Sequence, residues 1–252
     1  MPIRARIARG RLRTLLRQFP AVAILGARQV GKSTLARSAL PGYAYLDLED
    51  AGDYGRLAAD PAFVLGQHRR LVVDEAQRLP ALFPVLRSFL DRNPRSKIVL
   101  LGSASPGLLR DISESLTGRI GVLELGGLSV LEHDAKKTWI EGGFPRVHWG
   151  RPRVRPAEWY PAYLRTCLEQ DIPQLGFRVS SLRMRNLLTM VAHAQGGAMS
   201  SAGRGVAGRA AVAGRAGYCA STRRVSAEPP GARVSRGGTA AGGGAGPAGQ
   251  RP

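Results

Sequence analysis

The sequence predicts an α/β fold, a parallel β-sheet flanked by helices, followed by a short helical segment and a low-complexity tail. Three observations carry this. Short continuous apolar runs of strand length alternate with stretches of helical periodicity between residues 21 and 125, as parallel strands joined by crossover helices require. The first run passes straight into a glycine-containing turn and then a helix. Beyond about residue 196 the residues that build cores disappear together.

Each element has its own signal. Ile3, Ile7, Leu12, Leu15, Leu16 and Phe19 recur at helical spacing with arginines between them, so an amphipathic helix is expected before Pro20. Ala21–Leu25 is apolar throughout, as a strand buried on both faces should be. A helix from Lys32 to Leu40 is stopped by Pro41-Gly42, and residues 43–48 read as a second strand. Helical pieces are expected over 51–59 and 61–68. Leu71-Val72-Val73 is a third buried strand, ending in Asp74-Glu75. Helix 80–90, strand 97–101, helix 106–116 and strand 120–125 complete the alternation. Beyond Ser129 the pattern turns helical, with a break at Gly142-Gly143-Phe144-Pro145 and a further helix over 159–170.

Composition divides the 252 residues unevenly. Leucine appears 30 times up to Leu188 and never afterwards, and Gly supplies 14 of the 56 positions from Gly197 to Pro252. So little apolar surface cannot offset the entropy of ordering the chain. The expected organisation is a core with its N-terminal helix over 1–128, and a helical lid or the start of a truncated further domain over 129–196. A disordered Gly/Ala/Arg tail over 197–252 follows. The abrupt loss of Leu, Ile, Lys and Asp also fits a GC-rich gene read out of frame.

The net charge is +19, of which the tail contributes +7 and the remainder +12. Clusters at Arg4, Arg6, Arg9, Arg11, Arg13 and Arg17 and at Arg146, Arg151, Arg153 and Arg155 favour polyanionic partners: nucleotides, nucleic acid or an acidic protein face. A solvated basic surface is the plain alternative. Two distant cysteines, Cys167 and Cys219, argue against a disulfide framework and for a reducing, cytoplasmic setting. The four histidines lack metal-ligand spacing. No stretch approaches the ~20 apolar residues of a membrane span. The arginine-rich start has no apolar run long enough for a signal peptide.

Chemistry concentrates in two places. Gly26-Ala27-Arg28-Gln29-Val30-Gly31-Lys32-Ser33, followed by Thr34, matches the phosphate-loop pattern G-x-x-x-x-G-K-[ST], or Walker A, at every required position. The glycines let the backbone curl so that its amides face phosphate oxygens at the positive end of the next helix. Lys32 is placed to reach the β- and γ-phosphates, and Ser33 to offer its hydroxyl to Mg²⁺. Arg28 and Gln29 are expected to point outward. About 40 residues on, Leu71-Val72-Val73-Asp74-Glu75 fits Walker B: Asp74 as the Mg²⁺ partner and Glu75 as the group orienting the attacking water.

Two further candidates are less specific. With strand order 5-1-4-3-2, the strand over 97–101 lies between the two motif strands, so a polar residue at its tip can sense the γ-phosphate. Ser103 is favoured for this over Ser105, which suits a helix cap before Pro106. Arg119 is a candidate for stabilising the transferred phosphoryl group, in cis or from a neighbouring subunit, with a surface arginine at a strand start as the alternative. Asp47, at a strand end, is a weaker active-site candidate.

At this point the sequence resembles the bacterial and archaeal AAA-type P-loop ATPases with an uncharacterised C-terminal domain. The residues that carry the resemblance are GARQVGKSTLA (26–36), YLDLED (45–50), VVDEAQRLP (72–80), VLLGSAS (99–105) and SLTGRIGVLELGGLSVLE (115–132). GGFP (142–145) and YLRTCLEQDIPQL (163–175) are similar as well. The resemblance covers residues 1 to about 195 and implies Mg²⁺-dependent ATP binding and hydrolysis. ATP rather than GTP comes from the resemblance, since no base-reading motif is visible. Two departures stand out: Gln170 precedes Asp171 where the family usually has Arg, and the winged-helix-like and nuclease-like continuation is replaced by the Gly/Ala/Arg stretch. A nucleotide-dependent DNA- or protein-binding switch with little or no turnover is the rival expectation. An oligomer is compatible with either.

Overall fold

A computed structural model describes residues 6–150, 152–174 and 179–193. The stretch 197–252, expected to be disordered or read out of frame, lies outside the described residues.

The chain opens with helix α1 (Ala8–Gln18) and enters strand β1 (Ala21–Leu25). Then follow α2 (Lys32–Ala39), β2 (Ala44–Asp47), α3 (Ala51–Ala59), α4 (Pro61–Gln67) and β3 (Arg70–Asp74). A 3₁₀ turn over Ala76–Arg78 leads to α5 (Leu82–Arg92), β4 (Lys97–Gly102), α6 (Pro106–Leu116) and β5 (Ile120–Glu124). The five strands are all parallel, in the order β2-β3-β4-β1-β5. This is the 5-1-4-3-2 order that the position of Ser103 presupposed. From β1 to β5 the strands and α-helices agree with the sequence reading to within two residues, while α1 begins at Ala8, later than the expected pattern from Ile3, and the 3₁₀ turn was not anticipated.

The continuous apolar runs have a simple cause. Successive side chains of a strand point to opposite faces, and both faces are covered. Ala21, Ala23 and Leu25 join Leu71, Val73, Ile98 and Leu100 on one face, under α3 to α6, where Phe83 and Leu86 are fully buried. Val22 and Ile24 join Val72, Val99 and Leu101 on the other, under Leu12, Leu15 and Leu16 of α1 and Leu35 and Ala36 of α2. Fully burying side chains such as Leu86 or Phe83 stabilises by about 1.5–3 kcal/mol each. Edge strand β5 alternates instead: Gly121 and Leu123 are buried, while Val122 and Glu124 are exposed.

Helix ends follow local chemistry. Asp50 caps α3 by accepting from the amides of Gly52 and Asp53 at 2.9 Å each, and Asp60 caps α4, whose first residue is Pro61. The segment after β5 is helical, as expected: α7 (Ala135–Glu141), α8 (Pro145–Trp149) and α9 (Pro156–Thr166). The glycine break falls between α7 and α8. Gly142 has φ of 73°, and a Cβ there would collide with the Tyr160 hydroxyl. A wide π turn (Cys167–Asp171) prolongs α9, a single turn α10 (Ile172–Gln174) follows, and α11 (Ser181–His193) is the last described element.

Candidate active site

The phosphate loop leaves the central strand β1 at Gly26. A Cβ on Gly26 would fall well inside contact distance of the Leu125 carbonyl oxygen, so only glycine lets the loop start this close to the exit of β5. Gly31 adopts φ of 93° at the N-cap of α2, and Gln29 is also left-handed at 61°. These turns bring Lys32 and Ser33 onto the first turn of α2. Val30 is buried and plugs the underside of the loop.

Lys32 is only 6% exposed and its ammonium donates to the carbonyls of Gly26 and Ala27, both at 3.1 Å. Burial lowers its pKa, and the charges of Glu75 and Asp74 oppose that shift. Ser33 Oγ donates to Asp74 Oδ2 at 2.6 Å. Loop and strand motifs, 41 residues apart, therefore meet directly. Asp74 ends β3 and is 5% exposed.

Glu75, one residue on, takes a left-handed backbone with φ of 53°, uncommon for a residue with a side chain. Its backbone amide donates to Asp74 Oδ1 at 3.0 Å. Burial raises its carboxyl pKa, partly offset by a hydrogen bond from Gln77 and by the charge of Lys32. Gly26, Gly31, Lys32, Ser33, Asp74 and Glu75, named together from the sequence, thus share one end of the sheet.

Ser103 follows the last residue of β4, between the ends of β1 and β3. Ser105 is committed elsewhere: its Oγ caps α6 by accepting from the Leu108 amide at 3.3 Å. Asp47 accepts from the Glu49 amide at 2.9 Å and closes the turn after β2.

Arg119 requires a correction. It precedes β5, and its carbonyl accepts from the amide of Ala21, the first residue of β1. It therefore lies at the N-terminal end of the sheet, a full strand length from the phosphate loop. Its guanidinium grips the Asp91 carboxylate at 2.6 and 2.9 Å. No approach to phosphate within the same chain is open to it. Arg28 also departs from expectation: instead of pointing freely outward, its Nε lies 3.2 Å from Asp171 Oδ1. Gln29 is exposed, as expected.

Sequence reasoning missed three residues. Gln77 donates through Nε2 to Glu75 and sits against the tip of β4, where a Cβ on Gly102 would come within 2.6 Å of its amide oxygen. Its place two residues after the Asp-Glu pair was the available signal. The Tyr45 hydroxyl donates to the same Asp74 oxygen as Ser33, while the Arg37 guanidinium lies 3.6 Å over its ring. Burial and the Asp74 bond push the Tyr45 phenol up to about 12. Asp171, 8% exposed, carries a buried charge from the π turn to the outer wall of the phosphate loop. The Tyr163 hydroxyl reaches the Arg28 carbonyl from the same direction at 3.5 Å.

A second brace comes from the N-terminus. Arg6 donates to the Val30 carbonyl at 2.8 Å and to those of Gly126 and Gly127, and pairs with Glu132 at 2.9 Å. Arg6, read from the sequence as part of a basic cluster facing a polyanionic partner or solvent, instead has a side chain only 8% exposed. Arg4 and Arg151 lie outside the described residues.

A five-stranded parallel sheet in this order, with a glycine-cradled loop, a buried lysine and a strand-borne Asp-Glu pair, defines the P-loop ATPase class. Residues 18–133 match the family model of an AAA domain, and residues 132–208 match a domain of unknown function, DUF8612. The chain thus carries an AAA domain followed by a domain of unknown function, the arrangement of the AAA-type P-loop ATPases with an uncharacterised C-terminal domain. The second match runs to residue 208, past the boundary at 196 drawn from composition. The uncharacterized proteins Mb2031c of Mycobacterium bovis and Rv2008c of Mycobacterium tuberculosis are each 41% identical over 210 residues, or 80% of this chain and 47% of theirs. The chain thus spans about half the length of the curated relatives it matches. Among solved structures, the Walker-type ATPase PABY2304 of Pyrococcus abyssi is similar at 18% identity and a TM-score of 0.44, covering 73% of this chain and 76% of that one. Among the described residues, no helix is long and apolar enough to cross a membrane.

Proposed function

We propose that this chain binds ATP with Mg²⁺ and hydrolyses the bond to the γ-phosphate, in a reducing, cytoplasmic setting. The observation that carries the reading is the convergence of Lys32, Ser33, Asp74 and Glu75 where β1 and β3 end. The donor set fits Mg²⁺, which takes oxygen ligands: a hydroxyl and a carboxylate meet at 2.6 Å on the loop's inner side. Ser33 and Asp74 would hold the ion, which when bound supplies positive charge against the charge developing on the phosphates.

The chain's own residues do the rest. Loop amides and Lys32 hold the β- and γ-phosphates and keep the γ-phosphorus in line for attack. Glu75, held in place by Gln77, orients the water and accepts its proton as the water oxygen bonds to phosphorus. The bond from phosphorus to the bridging oxygen breaks, and ADP departs with that electron pair. A carboxylate whose pKa is raised by burial is a better base for this than a solvated one. Ser103, at the tip of β4, touches the γ-phosphate in this reading. The helical segment acts as a lid, since Asp171 reaches the loop through Arg28.

Steady-state phosphate release with and without Mg²⁺ tests the reading. Release that requires the ion supports it, and the absence of any release contradicts it. The rival, a nucleotide-dependent switch with little turnover, draws on the same Arg28–Asp171 contact, which can report nucleotide binding to the C-terminal segment without hydrolysis. Nucleotide-dependent DNA or protein affinity in the absence of phosphate release would favour that rival.

A further inference from the structure

The end of the sheet opposite the phosphate loop is strongly basic. All strands are parallel, so the segments entering them gather there: Phe19-Pro20 before β1, Gly42-Tyr43 before β2, His68-Arg69 before β3, Pro94–Ser96 before β4 and Gly118-Arg119 before β5. Arg69 and Arg70 at the start of β3 and Arg92 and Arg95 at the approach to β4 are all exposed. Arg70 pairs with Lys97 across the two strands, and the Arg69 carbonyl accepts from the Lys97 amide, so the two arginine groups are neighbours. Two adjoining open hollows of about 430 and 460 Å³ share His68 and Arg69, and between them take in Arg70, Arg92 and Arg95.

Of these charges, only Arg92 has a side-chain hydrogen bond within the fold among the described residues, from its Nε to the Ser88 carbonyl at 3.1 Å, which leaves the charge unneutralised. None of the four arginines pairs with a carboxylate among the described residues. The acid nearest to them in sequence, Asp91, is held by Arg119. Helix C-termini attract cations, but that effect fades beyond the last turn. It accounts for Arg92, in the last turn of α5, and not for Arg69, Arg70 or Arg95. Crowded like charges left unpaired repel one another, and a polyanion would relieve that repulsion.

We propose that this basic end binds the phosphate backbone of a nucleic-acid duplex, through Arg69, Arg70, Arg92 and Arg95, independently of the nucleotide site. The lining chooses among polyanions. No exposed large apolar side chain lines either hollow; Phe89, which does, is 7% exposed. A protein interface would need an aromatic or aliphatic anchor, an interfacial membrane helix an apolar face, and single-strand binding exposed rings for base stacking. What remains are guanidinium forks in an open surface, which suit backbone phosphates and read no sequence.

Anisotropy of a fluorescein-labelled mixed-sequence 20-bp duplex, titrated with the full chain across salt concentrations, tests the proposal. The variant Arg69→Gln/Arg70→Gln/Arg92→Gln/Arg95→Gln should bind at least ~10-fold more weakly, with a salt slope shallower by roughly 3–4, about one unit per lost contact. A control with the same charge change elsewhere, Arg11→Gln/Arg13→Gln/Arg153→Gln/Arg165→Gln, should lose less than ~3-fold, and four Arg→Lys changes at the basic end should keep most of the affinity and slope. Melting curves of each variant separate loss of contact from loss of fold. Equal losses in the two glutamine variants, or no duplex binding by the wild type at low salt, would overturn the proposal. So would stronger competition by polyglutamate or by phosphatidylserine vesicles than by unlabelled duplex.

Discussion

The two ends of one parallel sheet are built in opposite ways. Where the strands finish, Lys32 and Asp74 are buried, and Lys32, Ser33, Asp74, Glu75 and Gln77 all hold one another or the loop backbone. Where the strands begin, Arg69, Arg70, Arg92 and Arg95 are exposed and have no carboxylate partner among the described residues, while Arg119 holds Asp91. Acidic side chains follow β2 and β3 at the first end, namely Asp47, Glu49, Asp50, Asp74 and Glu75, while arginine dominates the second. A buried charge must be compensated within the molecule, so the first end is a finished, preorganised site. An exposed charge needs no internal partner, so the second end is shaped only for something arriving from outside. Two open hollows lie at the second end. The phosphate loop is folded around its own lysine, whose ammonium donates to the Gly26 and Ala27 carbonyls.

The sharpest break in the comparison is Lys32→Ala. It should weaken nucleotide binding by at least ~10² in a chain that still melts cooperatively, because several charge-assisted phosphate contacts of about 1.5–3 kcal/mol are lost. Fluorescent-nucleotide titration beside a thermal melt checks this; unchanged affinity in a folded variant would reject the loop assignment. Gln77→Ala should slow turnover roughly 10-fold while leaving nucleotide affinity nearly unchanged, since it loosens Glu75 without touching phosphate. A parallel rise in dissociation constant would instead make Gln77 part of the binding wall.

Smaller effects probe the braces around the loop. Asp171→Asn removes a buried carboxylate and frees Arg28, so nucleotide affinity should rise a few-fold, with stability changed by no more than about 1 kcal/mol. A fall in affinity would make the pair a scaffold for the loop. Glu132 carries a pKa below the usual carboxylate value: burial would raise it, but bonds from the amides of Ser129 and Ile7 and from Arg6 outweigh that. A depressed folded pKa means stability that is present above the unfolded value of about 4.3 and lost as pH falls through the folded one. Glu132→Gln should therefore lower the melting temperature by a few degrees at pH 7, and the gap to wild type should narrow towards pH 3. A gap constant with pH would show that the carboxylate's charge contributes nothing.

Most of this was legible because it is local in sequence. The phosphate loop spans eight consecutive positions, and β1, β3 and β4 sit between two helical layers and so read as unbroken apolar runs. What escaped depends on pairings across the fold: Tyr45 meets Asp74 across 29 positions, and Asp171 meets Arg28 between the C-terminal segment and the loop. Gln77 is local but polar, and nothing in its type separates it from a surface glutamine. Arg119 is instructive in a different way. Every residue that leads into a strand of a parallel sheet lies at the end opposite the residues that leave it. The expected topology therefore already placed Arg119 at the end away from the phosphate loop and Ser103 at the loop's own end.

Hydrolysis of ATP at the end of the sheet carrying Lys32 and Glu75 makes turnover depend on the Glu75 carboxylate. Phosphate release by Glu75→Gln, measured beside wild type at matched and saturating Mg²⁺-ATP, tests it most directly. Release by the wild type is expected, with at least ~10² slower release by the variant and nucleotide affinity within a few-fold. Wild-type rates in the variant, or no release from either protein, would contradict it.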